Sequence, residues 1–297
     1  MIQLSYYYVL NTFTALLKIE IFMTKICFDH CVIFVPDLNL AIQQFSELGF
    51  IVNRGGEHKY TCNALIVFRD QTYIEIIALK KFWFRPIIRF AAKIGLLNYY
   101  ANKKTDTSWR LIRWITKSYG ALDWCLRTKN IQHALNSLAR NKIPTLKKLA
   151  YQRKRPDGQI VQWELGCSKD YDLPFLIEDK TPINLRIAPD NNTKHTNGAL
   201  GIKKIILSSK NTDKIAYGLS ALLNENQNQS RKLPKTFSIG NKMISLKQEA
   251  NPKSCFSLEL SYSGNKRKCI NKKNIWSRNL VNSKYLENKR LHKINYR

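Results

Sequence analysis

The sequence has no CxxC pair, and its seven cysteines (Cys27, Cys31, Cys62, Cys125, Cys167, Cys255 and Cys269) are odd in number and irregularly spaced. That excludes a disulfide framework or zinc ribbon and suits reduced thiols in a cytoplasmic setting. There is no Walker loop, dinucleotide fingerprint, HExxH, GxSxG or zinc-finger spacing, so P-loop nucleotide hydrolysis and the familiar serine hydrolysis are removed. Metal-assisted isomerisation, lyase chemistry and ring cleavage stay open. Nor is any stretch long and apolar enough to span a bilayer; residues 1–22 are interrupted by Asn11, Thr12, Thr14, Lys18 and Glu20. They carry no basic leader and no small-residue cleavage site. The regular pattern starts two residues after Met23, which points to translation from there.

Acidic residues are scarce as well, 21 against 49 Lys and Arg, for a formal charge of +28 in 297 residues. The segment from Asn265 to Arg297 supplies +10 of it, with Glu287 as its single acid, and the rest is spread over the chain. An excess of this size draws nucleic acid, anionic lipid or acidic small molecules to a surface. A coding bias toward A and T, visible in the abundance of Lys, Asn and Ile, produces the same composition.

What is present is a repeat. "CFDHCVIFV" reads as a strand, "LAIQQFSELGF" as a short helix ended by Gly49, and "FIVNR", "CNALIVF" and "TYIEIIAL" as three further strands. The order returns from Ala121: strand "ALDWCLRT", helix "NIQHALNSLARN" with Ile131, Ala134, Leu135 and Leu138 inward, then "KKLAYQ", the turn "RPDG", "QIVQWELG" and "LPFLIED". A third unit opens at "LGIKKIILSS" and runs through a helix at "TDKIAYGLSALL" to "NKMISLKQ" and "CFSLELSYS". A period of this length marks an architecture built by repetition. The expected class is α+β, with repeated βαβββ modules forming a curled mixed sheet and a third partial module. The division is 1–24 as an N-terminal extension, 25–180 as two modules with a basic aromatic insertion at 80–120, 181–264 as a third βαβ-type module, and 265–297 as a basic tail expected to be disordered.

The run "FDHCVIFVPDLNLAIQQFSELGF", followed by "GGEHKYTCNALIVFRDQTYIEIIAL", "LDWCLRT", "RPDGQIVQWELG", "LPFLIEDKTP" and "HTNGALGI", resembles the glyoxalase-like domain family of the vicinal oxygen chelate superfamily. The resemblance spans roughly Lys25 to Gly264 and rests on the order of the whole set. It implies paired βαβββ modules curled into a cup that holds a divalent metal and a small substrate.

By that resemblance the metal ligands fall on His30, at the start of the first strand, and Glu75, in the last strand of the first module. One imidazole and one carboxylate suit Fe, Mn, Zn or Ni. The bland alternative is that His30 bonds a neighbouring loop and Glu75 faces solvent; alternation puts Tyr73, Glu75 and Ile77 on one face, either polar rim or cup interior. Aligning the modules through their helices sets Asp123 in the place of His30 and Glu178 near that of Glu75, subject to a register step of one residue, which reverses a strand's face. The third unit has Ile202 where His30 would stand, so it cannot repeat this chemistry.

In "GGEHKYTCNAL", Gly55 and Gly56 permit a sharp excursion of the backbone, with His58 and Asn63 beside the sheet's open end. Thr61 and Asn63 agree with the family's Gly-Thr-His-Asn pattern, whereas Tyr60 and Cys62 depart from it. His58 and Glu178 are the proton-transfer candidates, and Asn63 and Arg155 the substrate-binding ones; equally, Asn63 steadies a turn and Arg155 flanks the turn Pro156–Gly158. His195 and Asn197 either tie the third unit to the cup or reach a ligand.

The insertion mixes Trp83, Trp109 and Trp114 with Arg85, Arg89, Arg110 and Arg113. It reads as a lid over the cup or as core packing, with nucleic acid or an anionic membrane surface as the alternative. On a helix Trp109 and Trp114 diverge by about 140°, so one of the two is expected to pack inward. The expected partners are a small-molecule substrate, a second copy in a homodimer, and nucleic acid or anionic lipid through the insertion and tail. Against an enzyme stands a non-catalytic binding protein of the same fold.

Overall fold

A computed structural model describes residues 26–57, 60–80, 85–155, 157–187, 193–223, 233–252 and 254–263. The N-terminal extension, the basic tail and His58 lie outside the described residues. No described helix is long and apolar enough to cross a membrane.

Two copies of one local code generate the two modules. In the first, strand β1 (Cys27–Phe34) leads to helix α1 (Leu38–Glu47) and strands β2 (Asn53–Glu57), β3 (Thr61–Val67) and β4 (Tyr73–Leu79). In the second, β5 (Gly120–Arg127) leads to a helix at Ile131–Arg140 and then to β6 (Leu149–Lys154), β7 (Ile160–Gly166) and β8 (Phe175–Asp179). Both helices start the same way. Asp37 and Asn130 sit in extended backbone, and their side chains accept from the amides of Leu40 and His133 at 3.0 and 2.9 Å, satisfying donors that a helix leaves free at its start.

Between the modules run α2 (Arg85–Lys93), α3 (Leu96–Asn102) and α4 (Ser108–Thr116); the Ile131–Arg140 helix is therefore α5, and α6 (Ile183–Ile187) follows β8. Last come β9 (Ala199–Ser209), α7 (Thr212–Leu223), β10 (Thr236–Ile239), β11 (Lys242–Gln248) and β12 (Phe256–Tyr262).

The modules join in one eight-stranded sheet of order β2-β3-β4-β1-β5-β8-β7-β6. Within each module the first strand runs parallel to the last, β1 to β4 and β5 to β8, and β1 meets β5 antiparallel at the centre. The third unit forms a separate sheet, β10-β11-β9-β12. There β9 pairs parallel with β11, as β1 does with β4, and β12 lies antiparallel on its other side, where β5 lies against β1. It has four strands, as a full module has, but here the second-last strand rather than the last runs parallel to the first.

Period-2 alternation divides the large sheet's side chains between two cores. On β4, Ile74, Ile76 and Ala78 join a cluster that runs continuously into Ile205, Leu219 and Phe237 of the third unit. Tyr73, Glu75, Ile77 and Leu79 face the concave side, where Val32, Phe34, Phe175 and Ile177 pack with Trp109 and Trp114 of α4. The helix α5 packs as its periodicity predicts, with Ile131, Ala134, Leu135 and Leu138 buried. On α1 Leu38, Ala41 and Phe45 are buried, with Ile42 and Leu48 partly buried against the same core. The stripe Leu40, Ile42, Phe45 and Leu48 that the sequence suggests is thus met at Phe45 and in part at Ile42 and Leu48.

Candidate functional site

The concave side encloses a cavity of about 390 Å³ whose wall is mostly aromatic and aliphatic, with His30, Asn63, Glu75, Arg153 and Arg186 as its chief polar groups. Such a chamber is of the size and character that holds a small organic molecule. Its floor comes from β1 and β4, its sides from β3, β7 and β8, and its cover from α4 through Leu111, Ile112, Trp114 and Ile115.

Alternation decides the two open readings of the first module: His30 and Glu75 both line the cavity, and neither faces solvent. The His30 Nε2 stands 3.7 Å from Glu75 Oε2. The Tyr73 ring stacks on the imidazole at 4.4 Å, and Phe175 meets it edge-on. Asn63 donates to Glu75 Oε1 at 2.6 Å, which fixes the carboxylate from its far side.

Behind His30, its Nδ1 lies 2.7 Å from Asp29 Oδ1. Burial alone would raise the Asp29 carboxyl, but Arg186, His30 and Arg127 outweigh it and hold the group well below the usual carboxylate range. An ionised Asp29 can only accept, so the Nδ1 proton is donated to it and the Nε2 is the atom turned toward Glu75. Arg186 is itself saturated, donating to Asp29 Oδ2 at 3.0 Å, to Asp179 Oδ1 at 2.6 Å and to the Tyr73 hydroxyl at 2.6 Å. Burial pushes the Tyr73 phenol well above its usual range, against the pull of Arg186, so it stays protonated.

The second module does not mirror this chemistry. Across the central pair His30 faces Cys125, while Asp123 faces Val32, with a register shift following. Asp123 is buried and fully engaged: Arg110 of α4 grips both of its oxygens at 2.7 Å, and the Trp114 indole donates to it at 2.5 Å. It anchors the lid. Glu178 falls one residue off the cavity face, so its side chain points to the helix-covered side, accepts from the Ile131 amide at 2.8 Å at the start of α5, and pairs with Lys180. The corresponding cavity position is Ile177, paired with Leu165 on β7 as Glu75 is with Leu65 on β3. Glu178 is thus not brought to His30.

Arg155 is also apart from the cavity, bonded to Asp157 at 3.0 Å and to the Leu185 carbonyl at 2.7 Å. Two residues earlier, Arg153 lines the wall instead. The glycine pair acts by close approach rather than by unusual backbone angles: a Cβ on Gly55 would strike Asn63 Oδ1, and one on Gly56 would lie 3.2 Å from Arg153 Cδ. His195 ties the third unit to the first module, accepting from the Ile51 amide at 3.0 Å and donating to the Val67 carbonyl at 3.1 Å; Asn197 donates to Leu48.

Both tryptophans of α4 are buried, correcting the expectation that one would be. The helix is gripped on two sides, with Trp114 turned to the cup and Trp109 packed against Tyr171 beneath Arg113. Exposed apolar side chains of the insertion lie instead on α2 and α3, among them Ile87, Phe90 and Tyr99.

Two donor sets merit a test for a divalent ion. Asp29, His30 and Cys125 bring ligand atoms within 4.8 Å of one another. They do not fit, because Asp29 already answers two guanidinium groups and takes the His30 Nδ1 proton as well. His30 Nε2 and Glu75 Oε2 fit better. Their separation exceeds a hydrogen bond and is close to the roughly 3 to 3.5 Å between two donors that share one ion at about 2.1 Å each. Their open side is the cavity, and Asp29 behind the imidazole is the carboxylate partner that metal-bound histidines commonly have.

Sequence reasoning missed Asp29, Arg153 and Arg186. The signal for Asp29 was present in "FDH", a carboxylate beside the histidine; for Arg153 it was the alternation that puts it on the same face as Tyr151. Arg186 gave none toward Asp29, which lies 157 residues away, although its other carboxylate partner, Asp179, is only seven residues earlier.

No curated protein matches the chain. A hypothetical protein from Staphylococcus aureus has a similar structure, with 16% identity, a TM-score of 0.53, and coverage of 76% of this chain and 86% of that one. Methylmalonyl-CoA epimerase, solved in complex with methylmalonyl-CoA and ammonium, overlaps at 12% identity and a TM-score of 0.30, over 52% of this chain and 95% of its own. The model of the glyoxalase-like domain matches residues 28–223. With two βαβββ modules curled around one cavity, this chain belongs to the glyoxalase-like domain family.

Proposed function

We propose that this protein is a metal-dependent enzyme that acts on a small oxygenated molecule in the cup, by isomerase, lyase or dioxygenase chemistry. One observation carries the reading: an imidazole nitrogen and a carboxylate oxygen face each other across 3.7 Å at the floor of an otherwise apolar cavity. His30 and Glu75 are the residues to hold a divalent ion of the Fe, Mn, Zn or Ni class. Such an ion would polarise a substrate oxygen as a Lewis acid.

The chain's own groups supply the rest. Asp29 fixes the imidazole's tautomer and orientation, Asn63 fixes the carboxylate's rotamer, and the Tyr73 and Phe175 rings keep water from the imidazole's faces. In substrate not bound to an ion, His30 Nε2 and Glu75 are the groups placed to move a proton.

A second reading, binding without turnover, is favoured by the one-sided donor set, since Asp123 is committed to Arg110 and Ile177 stands where a second carboxylate would. Elemental analysis of protein purified without a metal-binding tag separates them. We expect a first-row metal at less than full occupancy, lost in both His30→Ala and Glu75→Ala. A wild-type protein that stays metal-free after reconstitution overturns the metal reading and leaves the binding protein.

A further inference from the structure

Two guanidinium groups reach the cavity wall, and their circumstances differ. Arg186 spends its donors on Asp29, Asp179 and Tyr73. Arg153 makes one hydrogen bond, from Nη2 to the Arg186 carbonyl at 3.1 Å, and among the described residues it forms no ion pair. The residue lines the cavity. A guanidinium keeps its charge at any physiological pH and is costly to hold half-buried without an anion. Burial, and then the like charges of Arg155 and Arg186, work against it there.

We propose that the cup binds a molecule carrying one carboxylate on an apolar body, with the carboxylate received by Arg153. The proposal names the substrate class of the site described above and rests on that reading of the cup. A carboxylate suits the fork of N–H groups, which it accepts in pairs. A phosphate dianion does not, because one unspent guanidinium faces it and the charge of Glu75 lies close enough to be felt at Arg153. The body of the ligand lies against Tyr151 and Trp163, whose rings stack at 6.1 Å beside Arg153, and under Leu111 and Ile115 of the lid. Gly56 makes the arrangement feasible, since any larger residue there would press on the Arg153 side chain.

The test is calorimetric titration of the full chain with octanoate and, separately, octanamide, in the presence of a chelator so that no metal takes part. We expect octanoate to bind at least tenfold more tightly than octanamide. Arg153→Met should abolish that preference while leaving octanamide binding and the unfolding temperature unchanged, and Arg153→Lys should recover part of it. Glu75→Gln, which removes the proposed metal seat, should keep or strengthen octanoate binding, so failure of the metal reading does not count against this one. Equal affinity for the acid and the amide, or an acid preference that survives Arg153→Met, overturns the proposal.

Discussion

Asp29 and Arg186 lie 157 residues apart in the chain and meet at 3.0 Å beneath the floor of the cup. The contact links the strand that carries His30 to the short helix that follows the second module, and it sets the ionisation of the carboxylate that orients His30. Replacing Arg186 with Met should leave Asp29 buried and facing only Arg127 and His30. We expect a loss of about 3 to 5 kcal/mol, the usual consequence of stranding one partner of a buried ion pair. Urea denaturation measures it, and a loss below about 1 kcal/mol, the range of surface pairs, would contradict it.

The same logic applies at the lid with a different control. Arg110→Met strands Asp123 beside the Trp114 indole and should cost about 3 to 5 kcal/mol, whereas Arg110→Met combined with Asp123→Leu should recover most of it. Additive losses in the double variant would show that the two residues stabilise the fold separately.

His195 predicts a pH dependence. Burial lowers its pKa, with the Val67 carbonyl pulling the other way, so it is neutral in the fold. The unfolded chain then binds more protons than the native one below the ordinary histidine value of about 6.5. Its contribution is complete above that pH and is lost as pH falls through the lower folded value. The ring cannot simply take the proton, because its Nδ1 accepts from the Ile51 amide. Thermal unfolding followed from pH 7.5 to 5 should show wild-type stability falling more steeply than that of His195→Gln; parallel curves would remove the assignment.

At Gly55 the prediction concerns placement. Ala at this position should drive the Asn63 amide off Glu75, costing about 1 kcal/mol of stability for the lost hydrogen bond and weakening metal retention by the reconstituted protein. Gly56→Ala meets only the flexible Arg153 side chain and should retain metal as wild type does. Equal retention in the two variants would mean that Asn63 does not position the carboxylate.

The repeat, the βαβββ order and the inward stripe of α5 were legible because each follows from local periodicity and capping. The pair His30 and Glu75 was named by the resemblance, and alternation along "TYIEIIAL" added only that Tyr73, Glu75 and Ile77 share one face; their role as metal ligands is a proposal. Whether that face was rim or interior depends on how the sheet curls, which no local pattern records. Glu178 shows the cost of a single register step: it lies beside the cavity-facing Ile177 and serves a helix N-terminus instead. The partners of Arg186 and Arg110 were hidden for another reason. Arg186 reaches Asp29 across 157 residues, which no local pattern records, although its other carboxylate, Asp179, is only seven residues away. Arg110 and Asp123 lie thirteen residues apart, but it is the path of the chain between the modules that brings them together.

Arg153 and Gly56 belong to β6 and β2, the two outermost strands of the large sheet, and a Cβ added at Gly56 would lie 3.2 Å from Arg153 Cδ. A closed barrel joins its ends by a ladder of backbone hydrogen bonds, which gives it a fixed girth. Here the two ends approach with a side chain between them and no strand pair, so the cup is a ring left open at one seam. A change of the side chain at that seam alters the lining of the cup without undoing a strand pair.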